Sequence, residues 1–204
     1  MMAALAAGLA ATRALAQQKS APVILVLGDS LSAEYGLPRG AGWVRLLEQR
    51  LDARASNKYT VVNASISGET TRGGLTRLPQ LLDTHRPSIV IIELGANDGL
   101  RGLPLEAMRA NLKAMAEAAR GAGARVLLVG IRVPPNYGRD YTERFFASFA
   151  EVARQTRSAL APFLLDGLAE DLAMFQADRI HPNEKAQPRM LDNVWPHLVP
   201  LLSR

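Results

Sequence analysis

Short apolar runs alternate with longer amphipathic stretches from Val23 onward. The apolar runs are rich in Val, Ile and Leu, which predicts β-strands. Their nearly continuous apolar character indicates strands buried on both faces, as in a parallel sheet. The predicted strands cover residues 23–27, 59–63, 89–93, 126–130 and, with a weaker pattern, 163–165.

The stretches between these runs carry apolar residues at helical spacing. They predict helices over residues 42–54, 72–85, 105–120 and 141–160, followed by a last helix after Pro182 that Pro188, Pro196 and Pro200 interrupt or bend. This alternation predicts a single three-layer α/β/α domain over residues 20–204. In such a domain, functional groups lie where the carboxyl ends of the strands open into loops.

The N-terminal residues follow a different pattern. Residues 1–17 are rich in Ala and Leu and end in Ala14-Leu15-Ala16, a small-x-small sequence of the type that signal peptidase cleaves. We therefore expect residues 1–19 to be a signal peptide with a short lead-in, cleaved after Ala16, and the protein to be periplasmic or secreted. No Lys or Arg precedes the apolar stretch, and Arg13 lies inside it, so a retained helix in a cytoplasmic protein is the alternative.

The charge of the chain does not identify a partner. The formal net charge is +5 and the pI is about 10.0, but Lys and Arg are scattered along the sequence. This spread favours a solvated basic surface over nucleic-acid binding, and it leaves open a weak attraction to anionic substrates or a transient contact with lipid. The absence of cysteine excludes thiol catalysis, disulfides and thiolate metal sites.

Candidate catalytic residues follow the predicted strands and recur near the C-terminus. Ser30 comes directly after the first strand, and Asp178 and His181 stand three positions apart. A serine hydroxyl is a poor nucleophile, so acyl transfer needs a base and a third group that orients the base. An Asp and a His at this spacing in a turn project to one side, so Asp178 can accept from Nδ1 while Nε2 faces the serine. The sequence predicts a triad of Ser30, His181 and Asp178.

The strand ends also supply donors for a tetrahedral intermediate. The backbone N–H groups of Ser30 and Gly68 and the side-chain amide of Asn97 come from three successive strand ends, and we expect them to form an oxyanion hole. Each residue taken alone is an ordinary loop or turn residue, and their joint placement favours catalysis. We expect Asp29 and Asp98 to fix the loops through local hydrogen bonds.

These segments resemble the sequence blocks of the SGNH (GDSL) hydrolase superfamily. Ser30 is similar to the nucleophile of the first block, Gly68 and Asn97 to the oxyanion donors of the next two, and Asp178 with His181 to the last block. The likeness covers nearly all of the chain from Val23 onward. It extends to the bacterial periplasmic branch with acyl-CoA thioesterase, lysophospholipase and arylesterase activity, on residues 35–36, 65–70, 95–103, 131–138 and 181–183.

The resemblance implies a fold and a reaction. The fold is a five-stranded parallel sheet in flavodoxin-like order, with the serine on a loop or short helix and without the Gly-x-Ser-x-Gly elbow of α/β-hydrolases. Arg179 departs from the family pattern, because many relatives carry Gly there, and this alters the turn beside the triad. We expect hydrolysis of esters or thioesters through an acyl-enzyme on Ser30, without metal or organic cofactor, and with activity that rises with pH as the imidazole loses its proton.

Two loops are candidates for substrate binding. Residues 99–104 and 134–141 combine apolar residues with Gly or Pro, which predicts an apolar groove with a movable lip over an acyl chain. In the resembled family the first of these is a mobile substrate-binding loop. The candidate contact residues are Leu100, Arg101, Leu103, Pro135 and Tyr137.

Two other functions remain open on the sequence. Related enzymes use the same blocks to remove acetyl groups from carbohydrates, but sugar sites display stacking aromatics, and only 5% of this chain is aromatic. A non-catalytic flavodoxin-like or receiver-like domain would use Asp29 for phosphate or metal. It would need a phosphate-cradling glycine loop or an acidic cluster with a lysine, and the sequence has neither.

Overall fold

The computed structural model describes residues 21–54 and 59–202. The predicted signal peptide lies outside these ranges and stays a prediction. Within them, no helix is long and apolar enough to cross a membrane. The strands are β1 (Val23–Gly28), β2 (Thr60–Asn63), β3 (Ile89–Glu93), β4 (Arg125–Val129) and β5 (Ala159–Ala161).

The five strands form one parallel sheet in the order β2-β1-β3-β4-β5. This order confirms the flavodoxin-like sheet that the family resemblance implies. The central strand β3 is buried along its whole length, and β1 is buried after its first residue, which explains their continuous apolar sequences. Because all strands run in one direction, their carboxyl ends open on a single edge of the sheet.

Helices cover both faces of the sheet in the part of the chain that the structure describes. α1 packs against α6 on one face, and α2, α4 and α5 pack in succession on the other, which confirms the three-layer architecture. The largest side chains of the core are Trp43 at the start of α1 and Phe145 and Phe149 of α5, all fully buried. The helices are α1 (Trp43–Asp52), α2 (Thr71–His85), α3 (Ala96–Leu100), α4 (Leu105–Gly121), α5 (Arg139–Thr156) and α6 (Gln187–Leu202).

The last strand differs from its predicted position. The sequence pattern places it at residues 163–165 and extends the preceding helix to residue 160, and both assignments are wrong. α5 ends at Thr156 because Arg157 adopts a left-handed conformation (φ 53°), and the chain enters the sheet at once as Ala159–Ala161. The more apolar residues 163–165 lie in the following loop, so burial in a loop produced the misleading strand pattern.

The prolines near the C-terminus do not interrupt the last helix. α6 runs from Gln187 to Leu202 with Pro196 and Pro200 inside it, so the predicted interruption does not occur. Pro188 is the second residue of the helix, where a missing N–H has no intrahelical partner to lose. The short helix α3 has no counterpart in the sequence prediction, because five residues are too few to show a helical period.

Candidate active site

Ser30 lies in a tight turn directly after β1. The carbonyl of Asp29 accepts hydrogen bonds from the N–H groups of Ser32 (3.2 Å) and Ala33 (2.9 Å), and this reverses the chain within four residues. The turn presents the half-buried Ser30 side chain at the carboxyl edge of the sheet. His181 arrives from the far end of the chain, and its Nε2 lies 3.0 Å from Ser30 Oγ.

Asp178 orients His181 from within the same turn. Its Oδ2 lies 2.6 Å from His181 Nδ1, and its Oδ1 accepts the backbone N–H groups of Ile180 and His181, each at 3.0 Å. Partial burial raises the pKa of Asp178, but these backbone bonds and the imidazole outweigh it and lower the pKa to about 2. The carboxylate is therefore ionised at neutral pH, and the structure brings Ser30, His181 and Asp178 into one hydrogen-bonded chain.

Arg179 occupies the position in this turn where the family pattern has Gly. Its φ is +57°, in the left-handed region that glycine adopts without steric cost. The turn thus keeps a backbone shape suited to glycine although the residue is arginine. Asp178 still accepts the backbone N–H groups of Ile180 and His181 and contacts His181 Nδ1. Arginine at this position therefore leaves the geometry of the Asp178–His181 pair intact.

Tyr35 and Gln176 support His181 and were not found from the sequence as site residues. The rings of Tyr35 and His181 have centroids 4.4 Å apart. Gln176 donates from its backbone N–H to the His181 carbonyl (2.8 Å) and from Nε2 to the Tyr35 carbonyl (2.8 Å). A Cβ on Gly36 would lie 2.0 Å from Gln176 Oε1, so glycine is required for this contact. No local pattern marks a single glutamine 141 residues from its partner.

The two predicted backbone donors of the oxyanion hole are free to act as donors. Gly68 has φ +78°, which turns the chain after β2, and its carbonyl accepts a hydrogen bond from Arg101 Nη2 (2.9 Å). Within residues 21–54 and 59–202, neither the Ser30 N–H nor the Gly68 N–H donates to a protein atom. Arg101, a predicted substrate contact, thus fastens the loop after β3 to the Gly68 turn.

Asn97 bridges the neighbours of the other two donors. Its Nδ2 donates to Asp29 Oδ2 (3.1 Å) and to the Glu69 carbonyl (3.0 Å). Asp29 directly precedes the predicted donor Ser30, and Glu69 directly follows the predicted donor Gly68. The amide therefore joins the loop after β1 to the loop after β2. Both of its hydrogens have acceptors, so donation to an oxyanion requires one of these bonds to lengthen.

Three buried carboxyl groups lie behind the donors, and we call Asp29, Glu93 and Asp98 the buried carboxyl layer. They are 0%, 1% and 3% exposed, respectively. None of them forms an ion pair with a lysine or arginine of the described ranges. Burial raises the pKa of Asp29 to about 6, although hydrogen bonds from Leu31 and Asn97 lower it.

Asp98 joins the Asn97 segment to the start of α2. Its Oδ2 accepts the backbone N–H of Thr71 (2.8 Å), and its Oδ1 accepts the Thr71 hydroxyl (2.6 Å). Asn111 of α4 donates to the same hydroxyl oxygen (3.1 Å). Since Thr71 follows Gly68 by three residues, these bonds set the spacing between two of the predicted oxyanion donors. The expectation that Asp29 and Asp98 fix the loops agrees with these contacts.

The two predicted substrate loops contact each other. Tyr137 Oη donates to the Leu100 carbonyl (2.9 Å), and Tyr141 Oη donates to the Gly99 carbonyl (3.3 Å). Leu103 and Tyr137 are 38% and 37% exposed, and Pro135 is also exposed. Their contact with substrate stays a prediction.

A cavity of about 430 Å³ lies elsewhere, between α5, α6 and the loop after β5. Arg132, Phe146, Phe163 and His197 are among its lining residues, and the predicted triad is not. The Arg132 guanidinium lies 3.6 Å from the centroid of the Phe146 ring. This cavity is therefore not the predicted acyl groove.

Comparison with known proteins gives consistent matches. A sequence model of the GDSL-like lipase/acylhydrolase family matches residues 26–188. Esterase TesA of Pseudomonas aeruginosa is 52% identical over 202 residues, covering 99% of this chain and 100% of its own. Thioesterase 1/protease 1/lysophospholipase L1 of Escherichia coli K12 is 41% identical over 184 residues, covering 90% of this chain and 86% of its own.

The fold is also matched by solved structures. The psychrotrophic esterase EstA from Pseudoalteromonas, inhibited by monoethylphosphonate, superimposes with a TM-score of 0.84 at 43% sequence identity. The match covers 89% of this chain and 99% of that one. At this identity the likeness extends beyond the architecture of the sheet.

Proposed function

This chain belongs to the GDSL-like lipase/acylhydrolase family, and on that premise we propose that it hydrolyses carboxylic esters and thioesters through an acyl-enzyme on Ser30. It is a hydrolase of the esterase/thioesterase type. Its relatives named esterase, thioesterase and lysophospholipase support acyl esters and thioesters as the substrate class. The observation that carries the residue assignment is the 3.0 Å contact between His181 Nε2 and Ser30 Oγ.

In the first step, His181 takes the proton of the Ser30 hydroxyl as the oxygen attacks the carbonyl carbon. The C–O or C–S bond to the leaving group then breaks, and His181 returns the proton to that group. Asp178 remains ionised and stabilises the imidazolium that forms between these transfers. In the second step, His181 takes a proton from a water molecule as the water oxygen attacks the acyl carbon. The bond from that carbon to Ser30 Oγ then breaks, and His181 returns the proton to Oγ.

Negative charge develops on the substrate oxygen in both steps. The N–H groups of Ser30 and Gly68 have no acceptor among the described residues, and the amide of Asn97 lies between their neighbours. Donors fixed in place before the reaction stabilise this charge without reorganisation, and one donor typically contributes a factor of about 10²–10³ in turnover. We assign the oxyanion hole to these three groups.

The proposed substrate contacts are Leu100, Arg101, Leu103, Pro135 and Tyr137. The hydrogen bond from Tyr137 to Leu100 joins two loops that each expose an apolar side chain beside the site. An acyl chain lying along this edge would cover apolar surface on both loops.

A panel of p-nitrophenyl esters of rising chain length, assayed with the wild type and with Ser30→Ala, tests the proposal. We expect hydrolysis of medium or long acyl chains that Ser30→Ala abolishes. Hydrolysis by Ser30→Ala at the wild-type rate would remove Ser30 from the mechanism. Activity confined to acetate would favour a carbohydrate O-acetyl esterase instead.

We also propose that the protein is exported and loses its first residues after Ala16, on the strength of the Ala14-Leu15-Ala16 sequence. Mass spectrometry of the protein from its native host would read the N-terminus directly. An N-terminus at Gln17 is expected. Recovery of the intact chain from the cytoplasm would contradict export.

A further inference from the structure

The carboxyl group of Glu93 lies directly beneath the turn that carries Ser30. Glu93 is the last residue of β3, and the sheet register places it opposite Gly28, the last residue of β1. A Cβ on Gly28 would come within 2.8 Å of the Ser32 side chain and 2.9 Å of Glu93 Oε2, so these two side chains together fill the space that a side chain would need. Glu93 is 1% exposed and ends an otherwise apolar strand.

Glu93 holds the nucleophile turn on both sides of Ser30. Its Oε2 accepts the Ser32 hydroxyl at 2.8 Å and lies 3.4 Å from the Asp29 backbone nitrogen, a longer contact. The Trp43 indole donates in turn to Ser32 Oγ (3.2 Å). A single buried carboxyl therefore positions the residues that flank the nucleophile.

The same group reaches the oxyanion hole through Asp29. The Asp29 side chain accepts the Leu31 N–H (3.0 Å) and the Asn97 amide (3.1 Å). The Asp29 backbone N–H contacts Glu93 Oε2. The position of Glu93 therefore affects the positions of both Ser30 and Asn97. The contacts of Glu93 with the turn and of Asn97 with Asp29 connect residues more than 60 positions apart in the chain.

Two carboxylates in this environment cannot both be charged at low cost. Neither Asp29 nor Glu93 has a cationic partner in the described ranges, and the other titratable groups near them are Asp98 and His181. Asp29 accepts two N–H donors at 3.0 and 3.1 Å, which favours its charged form, whereas Glu93 accepts one hydroxyl at 2.8 Å and one longer N–H contact at 3.4 Å. Burial, and then the charge of Asp29, raise the pKa of Glu93 well above its usual range.

We propose that Glu93 is a positioning residue for Ser30 and Asn97 and that it acts in its protonated, neutral form. The inference rests on the proposed function, since it concerns the geometry of that reaction. A neutral Glu93 also keeps a second negative charge away from the oxyanion that forms above it.

Glu93→Gln tests the neutral form, because glutamine is uncharged and close in size to a protonated glutamate, with a carbonyl acceptor and an NH₂ donor in place of the acid O–H. Its carbonyl oxygen accepts the Ser32 hydroxyl, and its NH₂ replaces the acid O–H. We expect kcat and KM within about twofold of the wild type. Glu93→Leu removes the acceptor, and we expect kcat to fall about tenfold or more with little change in KM. Glu117→Gln, an exposed site on α4, is the matched control and should leave both unchanged.

Infrared spectroscopy reads the protonation state without reference to activity. The wild type at pH 8 should show the carbonyl band of an undissociated carboxylic acid. Glu93→Gln should lose this band, and Glu117→Gln should retain it. A second readout is stability: a raised carboxyl pKa means that the folded state binds a proton the unfolded state has released. Wild-type stability should therefore fall relative to Glu93→Gln as pH rises above about 4.3, the unperturbed value for Glu.

The outcomes separate the two proposals. Loss of activity in Glu93→Gln as large as in Glu93→Leu, or a wild-type spectrum without the acid band, would overturn the role of Glu93. Failure of Ser30→Ala to reduce hydrolysis would overturn the proposed function while the infrared result still reports the charge of Glu93. If Glu93→Leu fails to fold, the spectrum and Glu93→Gln decide the matter.

Discussion

The carboxylate of Asp178 and the carboxyls of the buried layer hold the same site in different ways. The Asp178 side chain is 39% exposed, and its partners are residues of its own turn. Asp29, Glu93 and Asp98 are sealed from solvent and join segments that are far apart in the sequence. In the proposed mechanism the exposed carboxylate orients one imidazole, whereas the buried carboxyls position the proposed nucleophile and oxyanion donors.

This difference predicts two kinds of mutational effect. Changes in the exposed pair should alter proton transfer and leave the native fold in place. Changes in the buried layer should alter geometry and stability together, because an unpaired buried polar group costs about 1–3 kcal/mol.

The largest expected effect follows from removing the base. His181→Ala should lower kcat about 10⁴-fold or more, because the serine hydroxyl then lacks its proton acceptor. Asp178→Asn should lower kcat by a smaller factor, about 10²–10⁴, since the imidazole remains but loses its orientation. Steady-state kinetics on a p-nitrophenyl ester give both values, and circular dichroism should show wild-type folding for each. An equal loss in the two variants would place Asp178 in the chemistry itself.

The second-largest effect is expected at the proposed oxyanion donor Asn97. Asn97→Ala should lower kcat about 10²–10³-fold with a smaller change in KM, because the lost donor acts on charge that exists only in the transition state. A KM effect without a kcat effect would instead make Asn97 a substrate-binding residue. The kcat and KM values of the variant are the measurement.

Asp98→Asn tests whether the buried layer combines geometry with stability. The amide can replace only one of the two acceptors that Thr71 uses, so about 1–3 kcal/mol of unfolding free energy should be lost. We expect kcat to fall about tenfold as the Gly68 and Asn97 segments lose their fixed spacing. Thr71→Ser keeps both donors and is the matched control. Unchanged stability in Asp98→Asn would show that the exposed and buried carboxylates behave alike.

The smallest expected effect is the pH dependence of stability at Asp178. The hydrogen bonds that lower its folded-state pKa to about 2 favour the ionised form, whereas the unfolded value is about 3.9. Ionised Asp178 therefore adds stability above about pH 4, and this contribution is lost as pH falls toward 2. The difference in urea midpoint between wild type and Asp178→Asn should shrink over that range. A difference that grows on acidification would contradict the lowered pKa.

The sequence predicts the local part of this arrangement better than the long-range part. The strands before the active-site loops and the Asp178–His181 spacing are visible because each depends on neighbouring residues. The sequence prediction misplaces β5 because this strand has three residues and pairs with β4 alone. Its hydrophobic pattern is too short to outweigh that of the apolar loop that follows. Gln176 and Thr71 contact residues that are distant in sequence, so no local pattern identifies them. Glu93 is visible only as a single acidic residue at the end of the apolar run 89–93.

The proposed reaction depends on a covalent intermediate at Ser30. Mass spectrometry of the protein quenched during turnover of a slow p-nitrophenyl ester, followed by peptide mapping, tests it directly. We predict a mass increase equal to one acyl group on the peptide that contains Ser30, and none in Ser30→Ala. An acyl group on another residue, or full turnover with no covalent species at any time, would exclude Ser30 as the residue that forms the acyl-enzyme.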